Sequence, residues 1–277
     1  MNFNMSENDT YFTYKNPGKF WEEKEPTFHN RAFLFGDGLF ETMVLRDGFI
    51  RFGNFHQERI LKGCETLFLD KQDLSDIKQI QVFLRENGFE SGTWRVRWNV
   101  YRSGFGKYTP ENDSISATLM VSEFVPAVPV KRNLAYCSSV RLMHSRWSSC
   151  KTLNALPYVM ANIERKQKGL DDVILLSQEG FISEGASSNI FWEKDGVFYT
   201  PSLKSACVEG VSRRVIIEKL EKMEIEVREG LYLPQELLQA DRVFTSNVTG
   251  LSLVEKIEGS TLDINALPPE LTKEFEI

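Results

Sequence analysis

A single lysine stands in a setting that suits covalent chemistry. Lys151 lies in "SSCKTLNALPYVMANIERKQ", residues 148–167, after a serine-rich turn and before a segment that reads as a helix. A neutral lysine amine attacks carbonyl carbon, and burial or a neighbouring cation supplies that form by lowering the pKa of the amine. Pyridoxal phosphate is the commonest carbonyl compound that such a lysine holds. The alternative is a solvated surface lysine, because most lysines in proteins are exposed.

Glu184 is the candidate carboxylate beside such a cofactor. It lies in "FISEGASSNIFW", residues 181–192, at the end of a strand and next to small residues that would let a flat ring approach. The cofactor withdraws electrons only while its ring nitrogen stays protonated, which a neighbouring carboxylate favours. A glutamate in an ordinary β-turn is the alternative.

A helix start and one arginine are the candidate phosphate ligands. In "CVEGVSRRVIIEKL" a helix is predicted to begin just after Gly210, so the backbone amides of Val211 and Ser212 would lie at its positive end. The Ser212 hydroxyl would be a further donor. Arg59, from the N-terminal part of the chain, could complete the phosphate site, and a solvated helix arginine is its alternative.

Other catalytic chemistries lack the residues that they need. The three histidines, His29, His56 and His144, show no metal-ligand spacing with the four cysteines, so we expect no metal site. No G-x-S-x-G or P-loop motif occurs. We expect His56 to be packed or hydrogen-bonded at a helix start, Cys150 to be structural, and the cysteines to be reduced thiols.

The apolar pattern predicts mixed α and β structure, an α+β fold. In "TWRVRWNVYR", residues 93–102, apolar residues alternate with residues of a polar face, which predicts a strand with one buried face. The apolar face would carry Trp94, Val96, Trp98 and Val100, and the polar face Arg95, Arg97, Asn99 and Tyr101. Helices are predicted after a cap at Asn54, at about 75–86, near 154–168 and at 211–222. Further strands are predicted at "YFTY", "GLFETMVL", "DDVILL", "FISEG", "NIFWEK", "VFYTP" and "RVFTSN", with a hairpin turn at Lys194-Asp195-Gly196.

The clearest internal break is "FVPAVPVKRN", residues 124–133, because its prolines disfavour helix and sheet interior alike. The sequence therefore predicts a smaller N-terminal α/β domain over residues 1–123, a linker over 124–133, and a larger cofactor-binding domain over 134–277.

The amino-acid composition limits the kinds of molecule that the chain is expected to bind. The chain has 277 residues, a formal net charge of -6 and no basic block, which argues against nucleic acid. No apolar run is long enough to span a membrane, and the N-terminus shows no secretory signal, so we expect a cytoplasmic location. A small-molecule, amino-acid-like substrate remains.

Six motifs, taken in order along the chain, resemble a known family. "NRAFLFGDGLFET", "GNFHQERI", Lys151, "EGASSNIFW", "EGVSRR" and "FTSN" are similar to the signature of the class IV aminotransferases, the fold-type IV pyridoxal phosphate enzymes. The resemblance runs from about Asn30 to Val254. It implies two domains with the cofactor between them, and a homodimer with active sites near the subunit interface.

The same resemblance implies a role for each motif residue. Lys151 would bind the cofactor covalently, Glu184 would pair with its ring nitrogen, and Arg59, Val211 and Ser212 would bind its phosphate. The resemblance further implies a cofactor and substrate loop, with Asn247 and Val248 at the cofactor and Ser246 and Thr249 at the substrate.

One stretch bears on the choice of activity within this family. "RVRWNVYRSGFGKYTP" resembles a segment of 4-amino-4-deoxychorismate lyase, which makes 4-aminobenzoate and pyruvate for folate synthesis. Arg97 and Lys107 would lie where that lyase has a lysine and an arginine, and would bind substrate carboxylates. The turn before Gly250 is one residue shorter than in the lyase. The motifs favour the lyase, with a branched-chain or D-amino acid aminotransferase as the alternative and a non-catalytic cofactor-binding homologue as a distant one.

Overall fold

The computed structural model describes residues 11–22 and 29–276. Residues 1–10, where the sequence predicts no secretory signal, lie outside the described residues. By its internal contacts the chain divides into two units. Among the described residues, the first unit comprises 11–22, 29–125 and Cys150–Asn154, and the second unit comprises Pro126–Ser149 and Ala155–Glu276.

The first unit is built on one antiparallel sheet with two longer helices. Its strands are β1 (Tyr11–Lys15), β2 (Gly38–Arg46), β3 (Phe49–Ile50), β4 (Thr93–Arg102) and β5 (Ile115–Glu123), and its helices are α1 (Arg31–Phe35), α2 (Gly53–Thr66) and α3 (Ile77–Glu86). The strand order is β1-β5-β4-β2-β3. Apolar residues of β2, β4, α2 and α3 form its core, so the predicted alternation of β4 follows from burial of one sheet face.

A short segment interrupts the second unit and belongs with the first. Thr152 forms an antiparallel bridge with Leu39 of β2, and the Leu153 amide donates to the Gly38 carbonyl at 2.9 Å. The Cys150 side chain is part of the core of the first unit, as expected for a structural cysteine. The sequence predicts this segment in the C-terminal domain, and that prediction is wrong, because pairing with a strand more than a hundred residues earlier leaves no local signal.

The second unit contains two mixed sheets and four helices. Its strands are β6 (Val130–Lys131), β7 (Leu134–Leu142), β8 (Asp172–Ser177), β9 (Ile182–Gly185), β10 (Asn189–Lys194), β11 (Val197–Pro201), β12 (Val227–Gly230), β13 (Arg242–Asn247), β14 (Gly250–Val254), β15 (Lys256–Ile257) and β16 (Ser260–Thr261). Its helices are α4 (Leu156–Gln167), α5 (Val211–Lys222), α6 (Pro234–Leu238) and α7 (Pro269–Lys273). The sheet orders are β12-β11-β10-β13-β14-β6 and β16-β15-β7-β8-β9. Apolar residues of β8, β9, β10 and β13 make a shared core.

Three local predictions need correction. Asn54 is not the cap of α2, because Phe52 occupies the cap position in the left-handed conformation. The segment 124–133 is not wholly a linker, because β6 pairs with β14 at an edge of its sheet, where a preceding proline costs no ladder bond. Tyr101, expected on the polar face of β4, is buried.

None of the helices in the described ranges is both long and apolar enough to cross a membrane.

Candidate active site

Lys151 lies in an extended segment beside the start of β2, five residues before α4 begins. Its carbonyl accepts a hydrogen bond from the Phe40 amide at 2.9 Å, which fixes its backbone. Its Nζ lies 4.6 Å from the centroid of the Phe40 ring, and the neighbouring Cys150 is buried. Lys151, the candidate reactive residue, is therefore positioned by hydrogen bonding to a sheet and does not lie on a helix.

Arg97 contacts the same aromatic ring as Lys151. Its Cζ lies 3.9 Å from the Phe40 centroid, and its Nε donates to Asn99 Oδ1 at 2.9 Å. This placement follows from the antiparallel register, in which Phe40 pairs with Asn99 on β4. Burial, and then the nearby charge of Arg95, lower the pKa of Arg97. Arg97, the candidate carboxylate ligand, and the candidate amine thus contact one aromatic ring.

A buried carboxylate, Glu41, organises the neighbouring side chains of α2. Glu41 is on the core-facing side of β2 with Leu39 and Met43, and it accepts from His56 Nδ1 at 2.6 Å and from Arg59 Nε at 2.8 Å. Arg59 Nη2 also donates to Glu41 Oε2. Arg59 is therefore not a solvated arginine but one arm of a two-point ion pair.

The charge state of this cluster follows from its pairing. Burial alone raises the pKa of Glu41, but the charge of Arg59 and the hydrogen bonds from His56 and Arg59 more than offset it and hold the pKa at about 2. Burial lowers the pKa of His56, opposed by its hydrogen bond to Glu41. A neutral His56 thus donates through Nδ1, while its buried Nε2 finds no hydrogen-bond partner among the described residues. The expectation that His56 is a hydrogen-bonded histidine at a helix start is confirmed.

In the second unit, Glu184 is buried near the end of β9 and accepts hydrogen bonds from neutral donors. The Tyr158 hydroxyl donates to its Oε1 at 2.6 Å, and the Val208 amide donates to the same oxygen at 3.2 Å. Asn189 Nδ2 lies 3.5 Å from its Oε2. Donors of this kind stabilise the charged carboxylate. Burial, together with the charge of Glu184, raises the pKa of Tyr158 well above its usual value, so the hydroxyl stays a donor.

The start of α5 adjoins this cluster through Asn189. Gly210 caps the helix without a side-chain bond, and a Cβ at this position would lie 1.8 Å from Asn189 Oδ1. Val211 and Ser212 are the first residues of α5, and the cap residue offers their amides no side-chain acceptor. Asn189 is also paired in register with Ser246 of β13, whose buried Oγ finds no hydrogen-bond partner among the described residues.

The predicted loop follows Ser246 directly. Val248 and Thr249 form the two-residue turn between β13 and β14, and Asn247 Oδ1 accepts from the Thr249 amide at 2.9 Å and from its hydroxyl at 2.7 Å. Asn247 Nδ2 donates to the Ser187 carbonyl at 3.3 Å. The Asn247 side chain thus shapes the turn that carries the other candidate residues.

The structure brings the candidates together in two groups. Lys151, Arg59 and Arg97 lie in the first unit near β2, whereas Glu184, Val211, Ser212 and the loop after β13 lie in the second unit. Lys107 is exposed in the segment after β4, where its backbone carbonyl accepts from Arg31 Nη1 at 2.8 Å.

Sequence reasoning missed Glu41 and Tyr158. The sequence could have identified Glu41, because it occupies an apolar-face position of "GLFETMVL". A glutamate on a buried face needs a hydrogen-bonded or charged partner. Tyr158 had no such signal, since a tyrosine on a predicted helix does not reveal where its hydroxyl points. Within residues 11–22 and 29–276, no three His, Cys, Asp or Glu side chains are grouped to hold a metal ion, and the four cysteines are buried.

A family model described as "Amino-transferase class IV" matches residues 38–257. The chain belongs to this family. The expectations of a class IV amino-transferase family enzyme, lyase or aminotransferase, and of its mixed α and β, fold-type IV architecture are confirmed.

Named relatives of this class IV chain include both kinds of enzyme. Aminodeoxychorismate lyase of Bacillus subtilis is 28% identical over 239 residues, covering 83% of this chain and 81% of the relative. D-alanine aminotransferase of Staphylococcus epidermidis is 26% identical over 269 residues, covering 92% and 93%. The crystal structure of 4-amino-4-deoxychorismate lyase from Pseudomonas aeruginosa superposes with a TM-score of 0.79 at 25% identity, covering 91% of this chain and 94% of the other.

Proposed function

We propose that this chain is a pyridoxal phosphate-dependent lyase that converts 4-amino-4-deoxychorismate to 4-aminobenzoate and pyruvate. The observation that carries the proposal is the shared contact of Lys151 and Arg97 with the Phe40 ring, at 4.6 Å and 3.9 Å. This arrangement suits a substrate that presents an amine and a carboxylate together. The similarity to the Bacillus subtilis lyase supports the same reading.

The residues present fit pyridoxal phosphate. The α5 N-terminus without a side-chain cap supplies amides for a phosphate, and the Ser212 hydroxyl offers a further donor. The proposed phosphate ligands are Val211, Ser212 and Arg59. Bound pyridoxal phosphate supplies an electron sink for the carbon that carries the substrate amine.

Two residues carry the proposed proton chemistry. Lys151 Nζ binds the cofactor at rest and takes the proton from the carbon that bears the substrate amine once displaced. Glu184 keeps a proton on the cofactor ring nitrogen, because its neutral donors hold it as a carboxylate. In the lyase, the bond between the ring carbon and the enolpyruvyl oxygen would then break with its electron pair leaving on that oxygen, the enolate released would take up a proton to become pyruvate, and the ring would become aromatic.

The second carboxylate distinguishes the lyase from its relatives. Aminodeoxychorismate carries two carboxylates, and we assign one to Arg97 and the other to Lys107, with Ser246 and Thr249 contributing polar contacts and Asn247 and Val248 at the cofactor. A branched-chain or D-amino acid aminotransferase is the second candidate, favoured by the two-residue turn before Gly250 and by the similarity to D-alanine aminotransferase.

Homodimer formation and a cytoplasmic location are part of the same proposal. Both come from the family resemblance and the composition, and the buried thiols are compatible with a reducing compartment. Light scattering during size-exclusion chromatography of the full chain gives the mass directly, and a monomer at micromolar concentration would contradict the dimer.

The cofactor assignment is tested by borohydride reduction of the protein loaded with pyridoxal phosphate, followed by peptide mapping. The label is expected on Lys151. The matched control is Lys222→Ala, which removes a lysine that is 75% exposed and should leave labelling unchanged. A label on another lysine, or no binding of added cofactor, would overturn the assignment.

The activity is tested by following two products from one preparation. Aminodeoxychorismate alone should yield 4-aminobenzoate and pyruvate without a keto-acid acceptor. Leucine or D-alanine with 2-oxoglutarate should yield glutamate more slowly. Rapid glutamate formation with aminodeoxychorismate untouched would identify a transaminase instead.

A further inference from the structure

A buried arginine, Arg31, holds the segment between β4 and β5. Its Nη1 lies within hydrogen-bond distance of three consecutive backbone carbonyls, those of Phe105 at 3.2 Å, Gly106 at 3.0 Å and Lys107 at 2.8 Å. Its Nε donates to Asp37 Oδ2 at 2.8 Å. One guanidinium therefore ties this segment to the turn that precedes β2.

The same carboxylate oxygen of Asp37 also accepts a hydrogen bond from a second arginine. Arg102, the last residue of β4, donates from Nε to Asp37 Oδ2 at 3.1 Å and pairs with Asp113 through Nη1. Two buried guanidinium groups and two carboxylates thus balance in charge and mark both ends of the segment 103–113. Burial of an arginine is tolerated when its charge and its donors are satisfied in this way.

The segment has a defined internal shape. Gly104 and Gly106 have φ of +77° and +88°, and a Cβ on Gly106 would lie 2.4 Å from the Thr109 carbonyl. The Ser103 amide donates to the Ser114 carbonyl at 2.8 Å, which closes the base. We call residues 103–113 the β4–β5 loop. A loop of this length keeps one conformation only when its carbonyls are satisfied, and Arg31 satisfies three of them in the first half.

We propose that Arg31 is a positioning residue for substrate selectivity, which sets the place of Lys107 by holding the carbonyls of the β4–β5 loop. This inference rests on the proposed function, in which Lys107 binds the second carboxylate. Arginine is required because its planar fork can serve Asp37 with one nitrogen and the carbonyls with another, which a lysine ammonium cannot do at once.

The test begins with hydrogen exchange, measured by mass spectrometry on the full chain without cofactor. In Arg31→Gln the amides of residues 103–109 should exchange about tenfold faster or more, since charge-assisted hydrogen bonds are lost. Amides of β4 and β5 should keep their protection. Arg46→Gln is the control, because Arg46 is about half exposed and ends β2 away from the loop.

Kinetics of the cofactor-loaded enzyme give the second readout. With aminodeoxychorismate, Arg31→Gln should raise KM about tenfold while kcat changes little, because the residue orders a binding loop and touches no reacting atom. Cofactor affinity, from an absorbance titration, should match the parent. Arg31→Lys should restore thermal stability, since it keeps a cation beside Asp37, but should leave KM raised.

The outcomes separate this inference from the proposed function. Unchanged exchange in residues 103–109 would overturn it, and so would faster exchange with an unchanged KM. Full rescue of KM by Arg31→Lys would show that Arg31 contributes only its positive charge, and would also contradict the inference. If the parent leaves aminodeoxychorismate untouched, the proposed lyase fails and the selectivity role fails with it, while the exchange result still decides whether Arg31 holds the loop.

Discussion

Two buried carboxylates, one in each unit, accept hydrogen bonds from different kinds of donor. Glu41 on β2 is paired with the Arg59 cation and hydrogen-bonded by His56. Glu184 on β9 is held by the Tyr158 hydroxyl, the Val208 amide and, more loosely, the Asn189 amide. Both are at most 4% exposed, so burial does not distinguish them.

The two carboxylates differ in the group that each one stabilises or is proposed to stabilise. The charge of Glu41 is matched inside the first unit by Arg59, so its role is to fix a cation in place. The Tyr158 hydroxyl and the Val208 amide orient the Glu184 carboxylate, which suits a residue proposed to stabilise a cationic ring nitrogen.

Glu41→Gln should produce the largest loss of stability. The amide cannot balance Arg59, and breaking a buried pair by removing one partner costs roughly 3 to 5 kcal/mol. Urea unfolding of the cofactor-free protein measures the change. Glu58→Gln, an exposed position on the same helix as Arg59, is the control. A loss below 1 kcal/mol, on the scale of an exposed ion pair, would show that this pair contributes little.

The same contrast predicts a pH dependence. The pKa of Glu41 is about 2 in the folded state against 4.5 for the free side chain, so the unfolded chain binds the extra proton first. Its stabilisation is present above pH 4.5 and is lost as pH falls towards 2, on the order of 3 kcal/mol. Unfolding midpoints between pH 5 and pH 3 should fall less steeply in Glu41→Gln than in the parent. Parallel pH profiles would contradict the assignment.

Glu184→Gln should affect chemistry more than stability. A neutral amide keeps the shape but holds the ring proton less well, so turnover should fall about a hundredfold. The free energy of unfolding should fall by only about 1 to 2 kcal/mol, because the substitution weakens hydrogen bonds from two neutral donors, the Tyr158 hydroxyl and the Val208 amide. Steady-state rates and urea unfolding on one preparation test both. Unchanged turnover would remove Glu184 from the mechanism.

Tyr158→Phe should have the smallest effect. It deletes one neutral donor to Glu184 and should cost about 1 to 2 kcal/mol of stability, with a few-fold loss of turnover. The control is Tyr232→Phe, which removes a hydroxyl donor from the Arg228 carbonyl instead. A turnover loss as large as that of Glu184→Gln would mean that Tyr158 acts directly in the reaction.

Local patterns predicted the regular elements well. The strand predicted at 93–102 is β4, and the helix predicted at 211–222 is α5. These succeed because alternation and a glycine before a helix are local consequences of burial and capping. The hairpin at Lys194-Asp195-Gly196 joins β10 to β11 for the same reason, with Asp195 and Gly196 both at positive φ.

Contacts between residues far apart in the chain could not be predicted from the sequence. The environment of Lys151 depends on the bridge of Thr152 to Leu39, and that of Lys107 on the reach of Arg31 across 76 residues. Neither partner is marked by spacing, because the chain closes these contacts only in three dimensions. The motifs named Lys151, Glu184 and Arg59 as candidates, but their partners Phe40, Tyr158 and Glu41 came from the structure.

The placement of Cys150–Asn154 in the first unit has a consequence for biosynthesis. Residues 1–125 leave the ribosome before the segment that completes the edge of β2 at Leu39. During synthesis, this edge of β2 therefore stays unpaired until residue 154 has left the ribosome. Unpaired strand edges in such folding intermediates favour aggregation. Expression of residues 1–125 alone should yield less recoverable protein than the same chain joined through a short linker to residues 150–154.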